Sequence, residues 1–261
     1  MPYTELPLAH LYEGRTLIAA HRGAREAAPE NTLAAFRAAA ELGADGVEFD
    51  VQLTADGIPV VFHDRTLERV TDGAGPLFEQ PLAALRELDA GSHFGPAFAG
   101  ERIPTLDEAL DAAGGRLALN VELKIHKKGM RERARLAAEV LRRVERRGLL
   151  ERTILSSFDP LALRAARRDS AEIALGFLTP PDLPAVLGWA GRVIAGRHEA
   201  EHPHYTTVDR RTIRWARARG RRVNVWTVNE ADAIRRMRDL GVDMIITDRP
   251  DLAKSILQGE R

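Results

Sequence analysis

The sequence predicts an α/β chain closed into a (β/α)8 TIM barrel, and three observations carry that prediction. Short apolar runs alternate with longer segments of helical period, the pattern of a parallel sheet with crossover helices. Eight such units within 261 residues match the usual size of a closed barrel, about 250 residues. The first apolar run lacks a G-x-G-x-x-G turn, which counts against the rival open, doubly wound sheet of dinucleotide-binding domains.

TLIAA (16–20) is the first of these runs. Asn31 reads as the cap of a helix whose apolar positions Leu33, Ala34, Phe36, Ala40 and Leu42 share one face, and Gly43 reads as its stop. GVEFDVQL (46–53) is the second strand, and the Asp56-Gly57 turn joins it to IPVVFH (58–63) as a hairpin. Residues 64–103 fit neither a strand nor a simple helix. With TDGAGP, GSHFG and several prolines, they read as a small excursion inserted between the second strand and its helix, within a single domain spanning 1–261. RLALNVELK (116–124) is the third strand, with a long charged helix over 131–147. TILSS (153–157), IALGF (173–177), VNVWTV (223–228) and MIIT (244–247) are further strands, and an ill-defined one within 193–205 completes the eight.

Composition narrows the function. At 44% hydrophobic residues the chain can bury a large core. Its 38 basic and 38 acidic side chains cancel, leaving no footprint for nonspecific nucleic-acid binding, although a local basic pocket for one small anion is compatible with that balance. The absence of cysteine excludes disulfides, thiolate nucleophiles and zinc–thiolate sites. The first residues lack an apolar signal core and no later run reaches membrane-span length, so a cytoplasmic protein without stable membrane association is expected. The sequence sets no oligomeric state.

Polar residues gather where a barrel builds its site. His21 and Arg22 follow the first strand, Glu48 and Asp50 lie towards the end of the second, His63 ends the hairpin, and Glu122 and Lys124 end the third. In a barrel these strand ends share one face. Side chains alternate along a strand, so Glu48 and Asp50 point to one side, as do Glu122 and Lys124. Three carboxylates therefore converge, and packed like charges stay ionised at low cost only where a cation or basic groups neutralise them. An all-oxygen ligand set suits one hard divalent ion, Mg²⁺ or Ca²⁺, with Mn²⁺ as a further option. Three carboxylates, a divalent ion, Arg22 and Lys124 sum to a single positive charge, which complements a phosphodiester. Two histidines at such a site have the pKa suited to general acid and general base work near neutrality.

The run HRG…PENTLAAF…GADGVEFDVQLTADGIPVVFHD, with the later VELK, VNVWTVN and GVDMIITDRP, resembles the glycerophosphodiester phosphodiesterase family from about residue 17 to the C-terminus. The resemblance implies a TIM barrel that hydrolyses glycerophosphodiesters to glycerol 3-phosphate and an alcohol with a divalent metal, in lipid and glycerol metabolism. Carried over by position, Glu48, Asp50 and Glu122 match the metal ligands and His21 and His63 the acid/base pair. Arg22 matches a phosphate contact and Lys124 a substrate-side cation. Gly23 would let the backbone turn away beneath the substrate, and the Pro29-Glu30-Asn31 run sets the start of the first helix, with Glu30 also a candidate for the metal's outer shell. Related barrels of the lysophospholipase D and sphingomyelinase D kinds act on acylated diesters, and a catalytically silent barrel binding a phosphorylated metabolite is the alternative outside enzymes.

Each residue also has a structural reading. His21 beside Arg22 on a strand end favours function over a cap, and His63 owes its assignment to the family pattern rather than to turn chemistry. Glu122 and Lys124 can form a private ion pair. Trp226 divides between core packing and contact with the glycerol moiety, and is carried as a substrate-binding residue. His93, His126, His202 and His204 stay outside the catalytic set, and the arginine-rich segments 131–147 and 210–222 read as solvated helix faces.

Overall fold

The computed structural model describes residues 12, 14–113, 115–126 and 129–259. Eight parallel strands close a barrel: β1 (Leu17–His21), β2 (Gly46–Leu53), β4 (Ala118–Leu123), β5 (Thr153–Ser157), β6 (Ala174–Thr179), β7 (Ala200–Pro203), β8 (Arg222–Val225) and β9 (Met244–Thr247). Closure comes from β1, which pairs with both β2 and β9. β3 (Pro59–Val61) runs antiparallel to β2 as the second arm of the hairpin. The helices are α1 (Leu33–Glu41), α2 (Leu82–Leu85), α3 (Leu106–Ala113), α4 (Met130–Arg146), α5 (Pro160–Asp169), α6 (Ala185–Ala195), α7 (Arg210–Arg217), α8 (Ala231–Leu240) and α9 (Pro250–Gly259).

Strand alternation sorts chemistry from packing. Val47, Phe49 and Val51 of β2 and Leu119, Val121 and Leu123 of β4 join the core beneath the helices, with Phe36, Leu106, Leu110, Leu136 and Val140. The intervening positions point into the barrel, and the register sets His21 beside Glu48 and Asp50 beside Glu122. Tyr12 fills the end where the strands begin, among Leu17, Ile154, Ala174 and Met244, with the Arg222 guanidinium 3.8 Å over its ring. Residues 64–103 run from the hairpin to α3 and pack Leu67, Val70, Leu77 and Leu85 against Val60 and Phe62.

Several expectations need correction. The cap of α1 is Thr32, whose hydroxyl accepts the Ala35 N–H at 3.2 Å. Asn31 sits in the left-handed region at φ 58° and turns its amide elsewhere. The buried face of α1 is Ala35, Phe36 and Ala39, with Leu33, Ala34, Ala40 and Leu42 half-buried. β8 stops at Val225, so Trp226 is the first residue beyond it. The arginine segments are not solvated throughout: Arg133 and Arg143 are buried in pairs with Asp159 and Asp107. β7 carries a buried ion cluster in place of an apolar pattern, which leaves its strand period ill-defined in the sequence. Glu201 accepts from Arg221 at 2.7 Å and Arg192 at 2.9 Å, and lies 3.0 Å from His198.

Candidate active site

Glu48, Asp50 and Glu122 come together as the register requires. Each offers a carboxylate oxygen, and these oxygens lie within 4.8 Å of one another. All three residues are at most 8% exposed. The Lys124 ammonium bridges two of them, 2.9 Å from Glu122 Oε1 and 3.2 Å from Asp50 Oδ1; it is thus no private partner of Glu122. Arg22 places Nε 3.4 Å from Asp50 and donates its backbone N–H to Glu48 Oε2 at 3.1 Å. Asn31 clasps Asp50 from behind, its Nδ2 donating to Oδ2 at 2.9 Å and its Oδ1 accepting the Asp50 N–H at 3.3 Å.

The charges do not balance evenly. Burial, then the charges of Asp50 and Glu122, push the Glu48 carboxyl well above the carboxylate range. Burial also raises Glu122, with Lys124 opposing it. Burial works against the ionised Asp50 as well, yet Lys124 and Arg22 outweigh it and hold that carboxyl low. Arg22 and Asn31 are the non-glycine residues with positive φ among those described, and the Asn31 N–H donates to the Arg22 carbonyl at 2.8 Å. Backbone strain is thus concentrated where the site is built. Gly23 follows at φ 82°, and a Cβ there would lie 2.5 Å from that of Ala35 on α1.

Both histidines are held from behind. His21 Nδ1 lies 2.6 Å from Asp248 Oδ1, and Asp248 accepts from Asn229 Nδ2 at 2.7 Å. His63 Nδ1 lies 2.6 Å from Asp64, which accepts from Arg69 Nε at 2.5 Å. A carboxylate on Nδ1 fixes the tautomer and leaves Nε2 as the working nitrogen. Burial lowers the pKa of His63, with Asp50 opposing the shift.

One cavity joins these parts: His21, Arg22, Glu48, His63, Glu122, Lys124 and Trp226 line it, with Phe158 at its rim. Asp50 lies behind this surface. Trp226 donates its indole N–H to the His202 carbonyl at 2.8 Å and meets Phe158 edge-on at 5.4 Å. At the floor, both amide atoms of Asn120 and the Ser156 hydroxyl find no hydrogen-bond partner among the described residues.

Sequence reasoning missed Asp248, Asn229 and Asp64. The rule that polar residues just beyond barrel strands build the site applies to Asp248 after β9 and to Asn229 after β8. Glu30 joins the cluster through Arg22, which also pairs with Asp50. It accepts from Arg69 at 2.6 Å and Arg22 at 2.8 Å, and these cations bring its carboxyl to about 2 against the opposing effect of burial. The donor set fits a hard divalent cation, because buried, convergent oxygens of which one is forced towards the neutral form gain most from added positive charge.

A sequence model of the glycerophosphoryl diester phosphodiesterase family matches residues 21–252. A glycerophosphodiester phosphodiesterase of Caldanaerobacter subterraneus subsp. tengcongensis is 39% identical over 240 residues, covering 91% of this chain and 96% of the relative. A phosphodiesterase of Oleispira antarctica, solved in complex with the product sn-glycerol-3-phosphate, superposes with a TM-score of 0.85 at 32% identity, covering 95% of this chain and 99% of that one. A glycerophosphodiester phosphodiesterase of Agrobacterium tumefaciens gives a TM-score of 0.76 at 31% identity, over 92% and 99% of the two chains.

Proposed function

This chain belongs to the glycerophosphoryl diester phosphodiesterase family, and from that membership we propose that it hydrolyses glycerophosphodiesters to glycerol 3-phosphate and an alcohol. The observation that carries the proposal is the pair of imidazoles, each fixed through Nδ1 by a carboxylate, on a cavity shared with three convergent carboxylates. Glu48, Asp50 and Glu122 would hold one divalent ion, Mg²⁺, Ca²⁺ or Mn²⁺, which when bound supplies charge stabilisation for the phosphoryl oxygens.

The remaining work falls to the chain's own groups. Arg22 and Lys124 attract the nonbridging phosphate oxygens and offset charge that builds on them in the transition state. One imidazole Nε2 takes the proton of the attacking hydroxyl as its oxygen bonds to phosphorus. The other gives a proton to the ester oxygen as its bond to phosphorus breaks, so the alcohol leaves neutral. Trp226 packs against the apolar edge of the glycerol moiety. The attacker is water, or the substrate's own glycerol 2-hydroxyl by way of a cyclic phosphate. Bis(p-nitrophenyl) phosphate lacks that hydroxyl, so turnover matching a glycerophosphodiester would exclude the cyclic route.

The test is glycerol 3-phosphate release from glycerophosphocholine and glycerophosphoethanolamine with Mg²⁺, Ca²⁺, Mn²⁺ or EDTA, for wild type and His21→Ala. Release that needs metal and falls about 10²- to 10⁴-fold in the variant is expected. No release from folded protein with any of these ions would refute the proposal.

A further inference from the structure

Helix α6 is inside out. Its core-facing positions are Gly188, Gly191 and Ala195, while Val186 is 68% exposed, Leu187 55%, Trp189 66%, Val193 59% and Ile194 37%. The inversion is built in, because a Cβ at Gly191 would stand 2.5 Å from the Phe177 ring on β6. Glycine lets the helix sit close to the barrel, and its large apolar side chains are left facing out. Among the described residues this one helix holds five of the eight exposed large hydrophobics, the others being Phe94, Met130 and Phe158.

The flanks supply the second observation. Arg164 and Arg168 are exposed on α5, and Arg211, Arg214 and Arg219 on or just beyond α7. Arg211 and Arg219 lie one helical turn either side of Trp215, whose ring packs under the guanidinium of Arg192 from α6 at 5.0 Å, so the basic stripe abuts the apolar one. Exposed acids are fewer here: Asp169, paired with Arg168, then Glu172, Asp182 and Asp209. An apolar ridge containing tryptophan and bracketed by arginines is the pattern of a surface that rests on an anionic bilayer. Self-association through this face would bring arginines towards arginines.

We propose that the outer face of α6, with the arginines of α5 and α7 beside it, is a reversible docking surface for an anionic lipid membrane. The chain enters α6 from Leu178, which lines the catalytic cavity, and Phe158 is exposed at the cavity rim. Docking would therefore hold the mouth of the barrel near the bilayer. This proposal goes beyond the catalytic reading and does not depend on it, since binding is scored without turnover.

The experiment is co-sedimentation of the full chain with phosphatidylcholine vesicles and with vesicles containing phosphatidylglycerol, with Trp fluorescence and light scattering in parallel. Binding to the anionic vesicles alone, a blue shift lost in Trp189→Phe, and weakening by high salt are expected. Each of Arg211→Gln and Arg219→Gln should weaken binding about fivefold. Trp189→Ser with Val193→Ser should abolish it while leaving thermal unfolding and turnover of a soluble diester unchanged. Equal binding to both vesicle types, or none to either, would overturn the proposal. So would a dimer broken by those two serine substitutions, which would assign the face to a second copy.

Discussion

His202 offers the cleanest quantitative test of the barrel interior. It lies inside the barrel on β7, fully buried, with Nε2 2.9 Å from Asn224 Nδ2 and no partner for Nδ1 among the described residues. Burial pushes its imidazole down to about 3, against about 6.5 in an unfolded chain. The unfolded state therefore binds a proton that the folded state refuses, and stability falls as pH drops from about 6.5 towards 3. At ~1.36 kcal/mol per pH unit, the fall to pH 5 costs ~2 kcal/mol, or about 4–8 °C in Tm for a chain of this size. The assay is urea and thermal unfolding of wild type and His202→Gln from pH 8 to 5. Glutamine can still accept from Asn224, so the variant loses some packing at every pH but loses the acid-dependent part altogether. The two stabilities should converge by ~2 kcal/mol as the pH falls; a gap that stays constant would refute a neutral, depressed His202.

Three further outcomes follow from the geometry. Asp248→Asn removes the charge behind His21 and leaves one acceptor oxygen where the carboxylate serves both His21 and Asn229, and should lower kcat about tenfold or more with little change in KM, whereas Asp232→Asn on an exposed helix face should change neither. A divalent ion at a hundred times its Kd should stabilise the fold by about 2.7 kcal/mol, and EDTA or Glu48→Gln should remove that shift, read by calorimetry without substrate. Gly191→Ala forces a methyl against Phe177 and should cost about 1–3 kcal/mol in chemical denaturation.

The sequence made the carboxylates and histidines legible because their signal is local: a strand end, a two-residue alternation, a shared barrel face. Glu48 and Asp50 need only the period of β2 to point together, and the barrel then brings Glu122 beside them. What escaped was set by tertiary geometry. Asn31 looks like a helix cap, and only its φ of 58° frees its amide to hold Asp50. Asp248 reaches His21 across the seam where β9 meets β1, at the far end of the chain. β7 hid because Glu201 is buried among cations, which inverts the expected hydropathy. The outward turn of α6 depends on Gly188 and Gly191, and helical period alone does not say which side of a helix faces in.

The barrel interior next to the carboxylates carries Asn120, Ser156, His202 and Asn224 at inward positions where aliphatic residues would pack without polar loss. Each buried polar group left without a partner costs about 1–3 kcal/mol; Asn120 and Ser156 find none among the described residues and reach the cavity. Stability alone does not favour such a floor. Its natural partners are solvent and the hydroxyl groups of a bound glycerol moiety. Asn120→Leu and Ser156→Ala should therefore hold or raise Tm while raising KM for glycerophosphocholine about tenfold, one lost hydrogen bond's worth. A lowered Tm with KM unchanged would make these residues part of the scaffold and remove the floor from substrate recognition.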